Sequence, residues 1–95
     1  MQLTTLAQIH GLNDVRQNDN GSITSQLPSM PDYSINIKYL TDSEYVDVYL
    51  RIELDQSYSG AGCGAWEVPV ELLALALRQV EAFVKVYDEI LEAAA

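Results

Sequence analysis

The sequence predicts an α+β fold, in which a small antiparallel sheet of three to four strands packs on one long C-terminal α-helix. Apolar and polar residues alternate strictly over residues 34–39 and 46–54, which is typical of half-buried strands. From Pro69 to about Ala93 the apolar residues recur every three or four positions, as on one face of a helix. A chain of 95 residues allows one domain, over residues 1–95.

A short helix or arm is expected at the N-terminus, over residues 3–12. Thr5 and Gln8 have the spacing of a capping box, in which two side chains bond the free amides of a first helical turn. Gly11 favours a left-handed stop, and Leu12 can supply the apolar contact that accompanies it.

A turn and a short strand are expected before the first proline. Residues 20–21 are an Asn-Gly pair, which is typical of tight turns. Residues 22–27 favour a strand, and Pro28 and Pro31 then predict a connecting loop.

The alternating runs predict a β-hairpin with a turn of four residues, 41–44. This turn sets Ile37 opposite Val48 on the face toward the helix, and Lys38 opposite Asp47 on the other face. The register is consistent, because each apolar residue meets an apolar residue and the charged pair has opposite signs.

A flexible connector is expected between the hairpin and the helix, over residues 56–65. It contains Gly60, Gly62 and Gly64 at the position of a phosphate-binding loop, but without the lysine or the spacing of one. Pro69 is then expected as the first helical residue, where its missing amide costs nothing.

The C-terminal helix carries more apolar surface than one sheet face needs. Residues in heptad steps form its main stripe: Val70, Leu73, Leu77, Val80, Val84, Tyr87 and Leu91. Leu72, Phe83 and Ile90 broaden this stripe, and Leu75 and Val86, which lie outside the heptad steps, extend it to roughly half the circumference or more. Two interpretations stay open. Either the sheet and the N-terminal segment alone clasp the helix, or the helix also meets a second copy or another protein, with Leu75 and Val86 as the candidate dimer interface.

The acidity of the chain limits its partners. Five basic and fourteen acidic residues give a formal charge of −9. Residues 41–95 hold three basic and eleven acidic residues, a net −8. Phosphate backbones would be repelled, so direct binding of nucleic acid is not expected. No apolar run approaches the roughly 18 residues of a membrane span, and a reducing, cytoplasmic location is expected.

Residues that could carry catalysis are few and scattered. The single Cys63 and the single His10 lie on different segments, so a nucleophile beside its base is not expected. One cysteine excludes a multi-cysteine zinc site, and the acids lack the spacing of a calcium-binding loop. We therefore expect no enzymatic activity, no cofactor and no metal site.

The outer face of the hairpin is the candidate protein-binding surface. Tyrosine and acidic side chains share this face, and tyrosine supplies rigid amphipathic contact area. The candidate residues are Asp42, Glu44, Tyr45, Asp47, Tyr49, Glu53 and Asp55. We expect Asp42, Glu44 and Asp47 to be exposed, so that they meet Arg and Lys residues of a partner.

The leading functional hypothesis is a small acidic, non-enzymatic protein-binding module that docks on a basic, nucleic-acid-binding surface of a larger complex. In length and acidity alone, the chain resembles small phage-encoded inhibitors of such complexes, which implies the cytoplasm of a bacterial host. It also resembles small acidic secretion or assembly chaperones, and neither resemblance covers specific residues. The alternative is a homodimeric chaperone or assembly factor that uses the apolar face of the C-terminal helix. A third hypothesis is a small-ligand binder that uses the glycine-rich loop and Tyr58.

Overall fold

The computed structural model describes residues 1–28, 30–41, 44–51 and 62–94 of the chain. These ranges contain two α-helices and one sheet of five strands. In chain order the elements are α1 (Leu3–Ile9), β1 (Asn13–Gln17), β2 (Ile23–Leu27), β3 (Met30–Tyr39), β4 (Tyr45–Arg51), β5 (Gly62–Pro69), a 3₁₀ turn (Val70–Leu72) and α2 (Leu73–Ala94). The predicted α+β fold is confirmed, with five strands instead of three to four.

The five strands pair in chain order, and each pair of neighbours is antiparallel. The sequence patterns did not predict the two edge strands. β1 has a single apolar residue, Val15, so its sequence shows no alternation of apolar and polar residues that would indicate a strand. β5 begins at Gly62, inside the predicted connector, because its backbone pairs with β4 whatever the side chains are. The earlier part of that connector, with Tyr58 and Gly60, lies outside the described residues.

The central hairpin of β3 and β4 has the predicted register. Ile37 lies opposite Val48, and both side chains are buried on the helix-covered face. The amide of Leu40 donates to the carbonyl of Tyr45 at 3.1 Å, which closes the hairpin at the predicted position. Alternation and turn length were sufficient to determine this pairing.

Both helices cover the same face of the sheet. α1 packs on β1 and β3, and α2 packs on β4 and β5. The core between helices and sheet consists mainly of Leu3, Leu6, Ala7, Ile23, Leu27, Ile35, Ile37, Val46, Val48, Leu50, Leu73, Ala76, Leu77, Val80 and Val84. The opposite face of the sheet carries mostly polar side chains, and neither described helix packs on it.

The two ends of α1 differ in how well the sequence predicted them. The capping box of Thr5 and Gln8 is wrong, because the N-cap residue is Gln2, three residues earlier, and it makes no side-chain cap bond. Burial of its first residue in the core favours this early start. The stop at Gly11 is confirmed by its φ of +68°. Its amide donates to the carbonyl of Gln8 at 3.1 Å, and the side chain of Leu12 is buried beside it.

The prediction that Pro69 is the first residue of the long helix is wrong. Pro69 ends β5 in an extended conformation (φ −55°, ψ 147°), and a 3₁₀ turn precedes α2. The amide of Val70 donates to the carbonyl of Glu44 at 2.8 Å. Pairing with the β4 side thus continues past the proline and delays the helix to Leu73.

Val48→Asp tests which face of the hairpin is buried. Val48 has no solvent exposure, so the substitution buries an unpaired charge, and the free energy of unfolding should fall by on the order of 3–5 kcal/mol. Gln17→Asp adds the same charge at an exposed position of β1 and should change stability by less than about 0.5 kcal/mol. Urea denaturation measures both, and equal stability of the two variants would show that Val48 is assigned to the wrong face.

Candidate protein-binding surfaces

α2 and the turn before it have two apolar faces, and only one of them packs on the sheet. The packed face consists of Leu73, Ala76, Leu77, Val80 and Val84, which are all buried. The second face, the outer stripe, consists of Leu72, Leu75, Phe83, Val86 and Ile90. Its side chains are 40–62% exposed. At about 100° per residue, the outer stripe lies roughly a third of a turn around the helix from the packed face.

The sequence predicts part of the outer stripe. It places Leu75 and Val86 away from the sheet, and they are 51% and 54% exposed. It places Leu72, Phe83 and Ile90 in one broad apolar stripe together with the residues that pack on the sheet, and all three are exposed. Periodicity identifies apolar positions, but it does not say toward which of them the sheet lies.

The outer stripe borders β5, an edge strand of the sheet. Trp66 of β5 is half-buried and meets Phe83 edge-to-face, with ring centroids 6.1 Å apart and planes at 75°. Trp66 was not predicted as a functional residue, although Trp66 and Val68 alternate with Ala65 and Glu67 in the manner of a strand. The apolar helix face and the sheet edge are therefore neighbours on one surface.

A hydrogen bond joins the charged side of α2 to the sheet. The hydroxyl of Tyr33 on β3 donates to the carboxylate of Asp88 on α2. Asp88 lies on the charged side of the helix, so the bond holds that side toward the middle of the sheet. The outer stripe is left on the side of α2 nearest the edge of β5.

The predicted binding residues of the hairpin fall into three groups. Glu44 and Tyr45 are exposed, and Tyr49 is half-buried. Asp47 is buried, with only 9% of its surface exposed, so the prediction that it is exposed is wrong. Asp42, Glu53 and Asp55 lie outside the described residues.

Asp47 is buried because neighbouring strands flank it on both sides. It lies opposite Lys38 on β3, as predicted, and opposite Glu67 on β5. The first pair is favourable, whereas two carboxylates directly opposed destabilise a sheet. Glu44 and Glu71 line one surface depression at the same end of β4 and β5. Asp47, Glu67, Glu44 and Glu71 together form the acidic corner of the sheet.

The polar face of the sheet carries a hydrogen-bonded cluster that the sequence patterns did not reveal. The side-chain amide of Asn18 donates to the hydroxyls of Ser22 at 3.0 Å and Thr24 at 2.9 Å. The amide of Asn36 also donates to Ser22, at 3.1 Å. Because these groups bond one another, the cluster stabilises the β1-β2 turn and the pairing of β2 with β3.

A groove of about 420 Å³ lies between α1 and the β1-β2 turn. Gln2, Asn18 and Tyr39 are among its lining residues, and the hydroxyl of Tyr39 donates to the carbonyl of Met1 at 2.6 Å. No carboxylate, imidazole, thiol or cationic side chain is among the described residues that line it. The groove therefore offers neutral polar contacts to a ligand.

Comparison with known proteins gives none of these surfaces a function. No protein-family model, curated protein or solved structure matched the chain. No helix within the described ranges is long and apolar enough to span a membrane. The described part of the chain also contains no group of three or more His, Cys, Asp or Glu residues that could hold a metal ion.

Proposed function

We propose that the protein is an assembly module that forms a homodimer through the outer stripe, in the manner of a chaperone or assembly factor. One observation supports this most strongly: five large apolar side chains are exposed on one side of the longest helix and the turn before it, with the neutral Gln79 between Leu75 and Phe83. Single exposed apolar residues are ordinary on soluble proteins, but several on one side of a helix mark a surface that another protein covers.

The distribution of charge on α2 supports the same proposal. Two chains that each carry a formal charge of −9 repel one another, so a homodimer requires an interface that adds no repulsion of its own. Arg78, Lys85 and Glu92 lie on the side of the helix turned away from the outer stripe. The outer stripe itself contains no charged residue, and the exposed Glu89 beside Ile90 lies at its rim, so a second copy can dock on the stripe without burying an unpaired charge.

A dimer of this kind leaves the acidic corner of each copy at its surface. Two acidic corners on one particle would bind a client with two basic segments more tightly than either corner alone, because the second contact becomes intramolecular. This arrangement suits a chaperone or an assembly factor that holds basic segments of a client protein.

Leu75→Glu and Ala74→Glu are the matched pair that tests the dimer. Both add a carboxylate at an exposed position of α2, but Leu75 lies in the outer stripe and Ala74 on the charged side. Sedimentation at micromolar concentration should show a dimer for the wild type and for Ala74→Glu. The dimer affinity of Leu75→Glu should be lower by at least about tenfold. Its circular dichroism spectrum should still be that of a folded protomer. A wild-type monomer throughout this range would overturn the proposal.

As a second candidate function, we propose that the acidic corner docks on a basic surface of a larger complex. The observation that favours it is the opposed pair of Asp47 and Glu67, because an approaching cation relieves the repulsion between two carboxylates. The partner would be a nucleic-acid-binding site, whose Arg and Lys residues meet carboxylates in place of phosphates. In this role the protein would be a non-enzymatic inhibitor of the phage-encoded type, acting in the cytoplasm of a bacterial host.

Reversal of Glu44 and Glu67 to Lys tests the acidic corner. Both residues are exposed, whereas Asp47 is buried and stays unchanged so that the fold survives. Binding of a decalysine peptide should weaken by at least about tenfold and should depend less on salt. The control variant reverses Asp19 and Glu92, which are exposed on other surfaces and give the same change in net charge. Equal weakening in both variants would show that only net charge matters.

A further inference from the structure

We infer that the two copies also pair along β5, so that the dimer contains one continuous ten-stranded sheet, built from two sheets of five. Both α2 helices then lie side by side on one face. The inference rests on the proposed homodimer and specifies how its copies meet. Four observations carry it: the outward-facing backbone of β5, the contrast with the other edge, the position of α2, and the placement of charge along β5.

The backbone of β5 presents hydrogen-bonding groups on its outer side. β5 pairs with β4 alone among the described strands. The amide of Val70 donates toward β4, to Glu44, and in an antiparallel ladder every second residue points the same way. The amide of Trp66 therefore faces β4, whereas the amides of Ala65 and Glu67 face outward from the sheet.

The opposite edge of the sheet is blunted against such pairing. β1 has five residues, and its pairing shifts register between Asn13 and Arg16. Asp14 has a left-handed φ of +53° and forms an ion pair with Arg16 at 3.5 Å. Short length, bulges and charge are the devices by which sheet edges avoid other chains. β5 is longer, with eight residues and a single charged one, Glu67. Its register shift lies at the Leu50/Arg51 end of the ladder, and Pro69, which lacks an amide, is its last residue, so the stretch from Gly64 to Val68 is the edge suited to pairing.

The position of α2 fits a continuous sheet. α2 packs on both β4 and β5, and an axis midway between these strands lies half a strand spacing inside β5. The two-fold axis of the dimer would lie half a spacing outside β5. With strands about 4.8 Å apart, the two helix axes are about 9.6 Å apart. Packed helices lie about 8–10 Å apart, so pairing of β5 brings the two outer stripes into contact.

Charge and ladder geometry select one register. The regular part of the β4-β5 ladder runs from Gly64 to Pro69, and a symmetric pairing within it is centred at Trp66. Trp66 then meets its own copy on the helix-covered face, and Ala65 meets Glu67 of the second copy on the polar face. A two-fold axis at Glu67 would instead oppose two carboxylates, which is unfavourable.

Cysteine cross-linking tests this register. In a Cys63→Ser background, Ala65→Cys and Glu67→Cys are prepared as separate proteins and then mixed under mild oxidation. Opposite residues in a hydrogen-bonded antiparallel pair have Cα atoms about 5.5 Å apart, within the roughly 4.4–6.8 Å that a disulfide requires. Both positions are exposed in the protomer, so neither substitution should unfold it.

The mixture should form disulfide-linked heterodimers, and neither variant alone should cross-link to a comparable extent. Efficient cross-linking of either variant alone would overturn the register. If no sample cross-links while sedimentation still shows a dimer, the pairing of β5 is overturned and the dimer through the outer stripe stands. A monomer in sedimentation would overturn both.

Discussion

The packing of α2 on β4 and β5 is the interaction on which the rest of the structure depends. Val46, Val48 and Leu50 are fully buried beneath it, while α1 covers the other half of the same face, on β1 and β3. α2 also holds β5 in place, because this glycine-rich strand has few large side chains and its Trp66 packs against Phe83 of the helix. Without α2, an apolar sheet face and an edge strand would both lose their cover.

The same packing leaves an apolar surface unused. A helix that is apolar over more than half of its circumference cannot turn all of it toward one sheet. The buried residues of α2 face the sheet, the bond from Tyr33 to Asp88 joins its charged side to β3, and the outer stripe is left beside the edge of β5. The element that folds the protomer thus also produces the surface that we assign to assembly, whereas the side chains of the acidic corner lie on the polar face of the sheet, with Glu67 at the seam between the two copies.

The sequence patterns predicted correctly the features that depend on residues close together in the chain. Alternation and turn length set Ile37 opposite Val48, because both act within a single hairpin. They could not predict β5, whose glycines enter the sheet through backbone bonds to β4. The strand phase of Asp47 was predicted, but its burial depends on Glu67, on a strand that was not predicted. The exposure of Phe83 likewise depends on the rotation of α2, which its packing on strands distant in sequence determines.

Residue-resolved hydrogen exchange of the unmodified chain across a dilution series tests the central claim most directly. The claim is that a second copy covers the outer stripe and the outward-facing backbone of β5. The amides of Ala65 and Glu67 should be protected at concentrations where the dimer forms and should exchange rapidly on dilution, while the amide of Trp66 stays protected by β4 throughout. Rapid exchange of Ala65 and Glu67 at every concentration, beside a protected Trp66, would contradict the claim.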